Sequence, residues 1–308
     1  MTPLVYDVAM RVRFRGQTRR QGVLLPGPAG WGEFSPFPDY DDATCARWLA
    51  AARESAYDGW PAPVRDRVPV NTTVPAVGPE QAHAMVRASG CTTAKVKVAE
   101  LGQVLADDIA RVEAVRDALG PAGKVRVDAN AAWSVDEATD ALRALEKFDL
   151  EYAEQPVATL EDMAVLRRRI DVPLAADESV RRAEDPLRVA GLEAADIVVL
   201  KVQPIGGVRR CLEVAEACGL PVVVSSAVET SVGIAAGVAL AAALPELPYA
   251  CGLGTVSLLA ADVTADPLLP VGGFLPVRAV APDPAMVQAT DEVRAHWLAR
   301  MQAAADAG

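Results

Sequence analysis

Residues 93–98 read Thr-Ala-Lys-Val-Lys-Val, and this short β-branched run is one of a series. VPVNTTV (68–74) precedes it, and KVRVDAN (124–130), LEYAEQ (150–155), PLAADE (173–178), IVVLKVQ (197–203), PVVVSSA (221–227) and YACGLG (249–254) follow. Between them lie stretches such as DDIARVEAVRDALG, with apolar residues recurring at three- and four-residue spacing. Two of these stretches open on capping signals, Ser134-x-x-Glu137 and Thr159-x-x-Asp162. Strands that alternate with helices predict βα units and a parallel sheet. Eight strands fit a closed barrel.

Outside this region the texture changes. In residues 1–65 two alternating segments flank GQTRRQG, read as a turn; the Pro/Gly-rich LPGPAGWGEFSPFPDY follows, then a helix near 42–57. This predicts a small α+β cap. The tail opens on prolines and glycines from Asp266 and turns helix-like over 283–305. The expected division is a cap of 1–65, a (β/α) barrel of 66–271, and a segment 272–308 that packs back on the cap.

At 308 residues the chain can bury a large core without staples. Its five cysteines, Cys45, Cys91, Cys211, Cys218 and Cys251, are scattered and form no C-x-x-C pair, the pattern of a reduced, intracellular protein. The start lacks the basic-then-apolar order of a secretory signal, and the longest uncharged apolar run, Val232 to Leu244, is too short to span a membrane. That run is expected as a helix buried against the sheet, and the protein as soluble and cytoplasmic. A formal net charge of -11, with no basic stripe, argues against nucleic acid. An anionic substrate then needs cations concentrated inside the site.

Strand side chains alternate, so Lys95 and Lys97 face one way, which in a closed barrel is inward. A K-x-K on an edge strand would ordinarily be two solvated lysines; the neighbouring strands change the reading. Three successive strands end in an acid, Asp128, Glu154 and Asp177, one βα repeat apart each time. Any one of them could be a helix N-cap. Three in register at the mouth of a barrel repel each other unless a cation lies between them, and hard oxygen donors without clustered Cys or His suit Mg²⁺. Lys201 follows one repeat later, with Val199 and Gln203 of the same parity, across the barrel from Lys97; its alternative is a structural ion pair with a neighbouring acid. Together these residues answer the weak acidity of a proton α to a carboxylate. A metal stabilises the charge that develops, and a lysine beside another ammonium is poised as the base. Lys97, nearer the mouth, is the expected base and Lys95 its electrostatic neighbour.

Other chemistries find little support. His83 and His296 lie in helix-like stretches, which disfavours His-ligated zinc and a Ser-His-Asp triad. Ser225-Ser226 lacks the G-x-S-x-G elbow. Gly206-Gly207 opens a helix and could cradle phosphate, but a tight turn explains it as well.

KVKV, DAN, EQP, DES and LK, so spaced, resemble the muconate-lactonizing subgroup of the enolase superfamily over almost the whole chain. The fold this implies is α/β, an enolase-like modified (β/α) TIM-type barrel with a small α+β capping domain. Within the subgroup, GVLLPGPAGWGEFSPFPDY, SSAVETSVG and CGLGT resemble the o-succinylbenzoate synthases of actinobacterial type. That resemblance implies a lyase of menaquinone biosynthesis acting on a small carboxylate. One Mg²⁺ would be held by Asp128, Glu154 and Asp177, with Mn²⁺ able to substitute. Lys97 would remove the α-proton of a cyclohexadiene carboxylate and assist the departing hydroxyl, while Lys201 stabilises the intermediate from the other face. Asn130 and Glu178 would support the ligands, and Ser225, Ser226, Gly252 and Gly254 would hold a substrate carboxylate, although turn chemistry accounts for them equally. An arginine of the turn 17–20 would close over the distal carboxylate. The alternatives on the same scaffold are an N-succinylamino acid racemase or dipeptide epimerase; a catalytically silent barrel that only binds is more remote.

Overall fold

The computed structural model describes residues 2–181 and 187–308, with the Arg181 side chain excluded. Two antiparallel strands, β1 (Leu4–Phe14) and β2 (Gln17–Gly27), with β3 (Gly30–Phe34) beside β2, form the cap sheet. The expected GQTRRQG turn is tighter than that. Only Arg15 and Gly16 turn, both at positive φ, and Gln17 already pairs with Phe14. Glycine at the second position removes the Cβ clash of the left-handed region, so two residues suffice. The helix Asp42–Arg53 packs across the sheet, capped by Asp41, whose carboxylate accepts the Thr44 amide at 2.8 Å.

After the short β4 (Arg67–Pro69), the barrel strands are β5 (Thr72–Val74), β6 (Thr93–Lys97), β7 (Lys124–Asp128), β8 (Leu150–Glu154), β9 (Leu174–Ala176), β10 (Ile197–Leu200) and β11 (Val222–Val224). β5 to β11 form one parallel sheet in sequential order. The expected first strand is broken: β4 pairs instead with β12 (Phe274–Pro276), and only β5 belongs to the barrel sheet. The expected eighth strand shrinks to Cys251 and Gly252, which bridge Val70 on one side and Ser225 on the other and so join the two ends of the sheet. Pro248 before it and the tight helical turn Gly254–Leu258 after it leave no room for more.

Register explains the barrel's chemistry. Inward residues Tyr152, Ala175, Ile197, Val199 and Val223 form a plug of their own with Tyr249, while their neighbours Val125, Val127, Ala153, Val198 and Val224 pack outward on the helices. The plug, with the buried Arg126 over the Tyr152 ring, fills the lower barrel, and Lys97, Asp128 and Glu154 face inward at the upper end. Ser134 and Glu137 form the expected capping box, and the run from Val232 is the helix Ser231–Ala243, buried nearly throughout. No helix among the described residues is long and apolar enough to cross a membrane. All five cysteines are free and buried.

The tail helix starts later than expected, at Asp291, because Thr290 caps it and Pro282 and Pro284 precede it. It joins the cap core through Trp297 and Ala304, packed with Phe34, Phe37 and Trp48, and Arg300 donates to the carbonyls of Phe37 (2.6 Å) and Tyr40 (3.1 Å).

Candidate active site

Lys97, Asp128 and Glu154 are direct neighbours across β6, β7 and β8, and Ala175 is the next partner in the row. Asp177 lies two residues beyond Ala175, so it faces the same way, one step nearer the mouth. Lys95 sits two residues below Lys97. All are buried, with Asp128 and Glu154 1% and Asp177 0% exposed. At this burial a carboxylate requires a partner charge.

The partners are the lysines. Lys95 Nζ lies 2.8 Å from Glu154 Oε2 and 3.2 Å from Asp128 Oδ2. Lys97 Nζ is 2.6 Å from Asp128 Oδ2 and also donates to Asn130 Oδ1. Lys201 Nζ meets Asp177 Oδ2 at 2.5 Å. Asn130 in turn donates to Glu178 at 3.2 Å and gives its amide to Asp128 Oδ1 at 3.1 Å. Asn130 has a left-handed backbone, φ 48°, which swings its side chain back over the strand end. Gln155 fixes the far side: its Oε1 accepts the amides of Asp177 (3.0 Å) and Ser179 (3.1 Å).

The charges act unequally on the two lysines of β6. Burial lowers the Lys97 pKa against the pull of Asp128, and the Lys95 ammonium lowers it further. Burial also opposes charge on Lys95, but the Glu154 and Asp128 carboxylates hold it well above the ordinary lysine range. Burial and the like charges of Asp128 and Asp177 push the Glu154 carboxyl up to about 7. Asp128 is held far down, despite burial, by Lys97, Lys95 and Lys201.

Three buried carboxylates that raise one another's cost of ionisation are a donor set suited to a hard divalent cation. Among the described residues no acidic, cysteine or histidine groups close into a cage by themselves, since an ammonium stands against each carboxylate.

The cavity above them is lined by Lys95, Lys97, Asp128, Asn130, Lys201, Ser225, Ser226 and Gly252, together with Phe14, Arg15, Phe37, Thr73, Ala227, Val228 and Thr255, which the sequence reading did not single out. Glu154 and Asp177 do not line it and lie behind Lys95 and Lys201. Gly254 is not a lining residue either; it packs against the Asn71 carbonyl, where a Cβ would come within 2.8 Å. Ser226 Oγ is taken up by the Gly252 carbonyl (2.8 Å) and Thr255 Oγ1 (2.8 Å). Lys201 itself comes after the strand: β10 stops at Leu200, and Gln203 lies in the short helix Val202–Ile205 rather than continuing the alternation.

The cap supplies Arg15 instead of an arginine from 17–20. Arg19 pairs with Asp7 at 2.6 Å outside the cavity, and Arg20 is buried beneath Phe37. Phe14, next to Arg15, places its ring 5.1 Å from Lys97 Nζ. Alternation could have flagged Thr73, which is in register with Lys95; nothing local marks the cap residues. Gly206-Gly207 is no phosphate cradle, because Glu54 already accepts the Val208 and Arg209 amides there, at 2.5 and 3.1 Å.

Residues 79–282 match the family described as enolase C-terminal domain-like, and residues 5–56 the one described as enolase N-terminal domain-like. The chain is 65% identical over 304 residues to the o-succinylbenzoate synthase of Thermobifida fusca, covering 99% of this chain and 96% of that one. This chain belongs to the o-succinylbenzoate synthase family of the enolase superfamily. Another member, from Mycolicibacterium smegmatis, is 56% identical over 297 residues, 95% of this chain and 91% of its own. Among solved structures, the substrate-liganded L-Ala-D/L-Glu epimerase of Bacillus subtilis aligns with a TM-score of 0.78 at 25% identity, over 92% of this chain and 96% of that one. The synthase family and this epimerase thus share the cap-and-barrel scaffold.

Proposed function

We propose that the chain catalyses the Mg²⁺-dependent syn dehydration of 2-succinyl-6-hydroxy-2,4-cyclohexadiene-1-carboxylate to 2-succinylbenzoate, as a carbon–oxygen lyase of menaquinone biosynthesis. The observation that carries the chemistry is Lys97: buried, lowered in pKa, and aimed into the cavity between Asp128 and the Phe14 ring.

Asp128, Glu154 and Asp177 would hold the ion, whose contribution when bound is Lewis-acid stabilisation of the charge that develops on the substrate carboxylate. Neutral Lys97 takes the proton from the carbon α to that carboxylate. The electron pair left behind moves into the ring as the C–O bond at the neighbouring carbon breaks, and Lys97, now an ammonium, returns the proton to the departing hydroxyl, which leaves as water. One base on one face performs both transfers, which makes the elimination syn. Lys95 remains charged and favours the neutral form of Lys97. Lys201 sets its ammonium against the opposite face, where charge spreads through the forming ring. Asn130 and Glu178 orient the Lys97–Asp128 pair, and Ser225 and Gly252, which line the cavity, receive a substrate carboxylate.

Mixing protein and cyclohexadiene substrate, with Mg²⁺ and then with excess chelator, tests the reading by absorbance. Metal-dependent aromatisation that Lys97→Ala abolishes is the expected result; a wild-type protein that leaves the substrate unchanged overturns it. A racemase or epimerase is the second reading, favoured by Lys201 facing the site opposite Lys97 and by the likeness to the epimerase scaffold. Lys201→Ala separates the two, since loss of racemisation with retained α-proton exchange indicates two-base chemistry.

A further inference from the structure

The wall of the cavity formed by residues 225–228 is held from the cap, directly and through the following turn. Val228, which lines the cavity, has φ 62°, a left-handed conformation that a β-branched residue adopts only when its surroundings impose it. The surroundings here are cap residues. Arg20, on β2, donates from Nε to the Val228 carbonyl at 3.0 Å and from Nη2 to the Ser35 carbonyl at 2.7 Å. Ala227 packs inside the cap's own core with Phe34, Phe37 and Trp48.

Two residues beyond Val228, Glu33 of β3 reaches the N-terminus of the barrel helix Ser231–Ala243. Its carboxylate accepts the Thr230 amide (3.1 Å), the Thr230 hydroxyl (2.5 Å) and the Gly233 amide (3.0 Å). On the cap side it accepts Tyr6 OH (2.7 Å) and Ser35 Oγ (2.8 Å). Glu33 and Arg20 are each 2% exposed and Thr230 is 0% exposed, so these bonds are shielded from water. Gly233 permits the approach, since a Cβ there would lie 2.9 Å from Glu33 Oε2. On the barrel side Glu33 Oε2 faces the Thr230 and Gly233 amides, which can only donate, so an amide nitrogen placed there sets N–H against N–H, and in either orientation a glutamine loses the charge that both bonds rely on.

We propose that Glu33 and Arg20 are positioning residues which, by clamping the strained 227–230 segment, make substrate affinity depend on how the cap is seated on the barrel. They touch no reacting atom. The proposal rests on the dehydratase reading for its kinetic test and on the fold alone for its second test.

In the full chain with Mg²⁺, Glu33→Gln and Arg20→Met should each raise KM roughly fivefold or more while kcat stays within about twofold, because binding and not the chemical step loses its support. The double variant should be little worse than either alone, since both hold one segment. Amide hydrogen exchange at residues 227–233 should quicken in Glu33→Gln and Arg20→Met while β6 stays protected. If both variants lose thermal stability but keep the wild-type KM, or if exchange at 227–233 is unaltered, the clamp is merely structural and the proposal fails. Wild-type protein with no turnover refutes the dehydratase reading, and the exchange measurement then decides the clamp by itself.

Discussion

Glu229→Gln should stabilise the protein at neutral pH and above, an unusual outcome for a change at a residue only 4% exposed. Burial, and then the neighbouring Glu33 carboxylate, raise the Glu229 pKa from an ordinary 4.5 to about 7. Its carboxylate accepts the Ala227 amide at 2.7 Å, a contact glutamine can keep through its own oxygen. Below both values the carboxyl is protonated in the folded and the unfolded chain, and the substitution should be near neutral. As pH rises from 4.5, the unfolded chain releases its proton first while the native state retains it. Stability is therefore lost progressively until the pH passes about 7, where the native carboxyl also ionises. At about 1.4 kcal/mol per pH unit the loss amounts to about 3 kcal/mol, and glutamine is spared it. Urea unfolding of both proteins, followed by tryptophan fluorescence at several pH values from about 5 to about 8, measures the difference directly, because titrating groups remote from this pair cancel. A variant advantage that grows with pH and levels off above about 7 is expected. A difference that stays flat across the range, or a variant less stable at the alkaline end, would refute the reasoning.

Two further outcomes follow from the site. Gly252→Ala places a Cβ 2.5 Å from Ser225 Oγ, so the serine must rotate away from the cavity; a KM increase of roughly tenfold is expected in the absorbance assay, with folding stability lowered by about 1 kcal/mol. Lys95→Met removes the ammonium that helps hold Lys97 down, so the pH at which Lys97 becomes neutral, read from the acid limb of kcat against pH, should move upward; an unmoved limb would mean that Lys95 does not tune Lys97.

Much of the site was legible because it is written in local periodicity. A strand repeats every two residues, so Lys95 and Lys97 share a face whatever else the chain does, and a βα repeat brings Asp128, Glu154 and Asp177 to successive strand ends. Capping signals worked for the same reason, since Ser134 and Glu137 are one turn apart. Element ends were less legible. Alternation continued on paper through Gln203, whereas the sheet stops at Leu200 and Lys201 opens a helix. Glycines 206 and 207 offered a cradle that Glu54, more than 150 residues away in sequence, already fills.

The sequence alone thus determined the barrel and the inward row of lysines and acids, both of which follow from spacing within one or a few repeats. Only the tertiary structure decided that Arg15 rather than Arg19 or Arg20 reaches the cavity, that Phe14 lies beside Lys97, and that Glu33 caps a helix beginning near Thr230. These depend on how the cap sits on the barrel mouth. That seating is settled by the packing of Phe34, Phe37, Trp48, Ala227 and Trp297 in one core, whose members come from distant parts of the chain and share no period for a sequence to display.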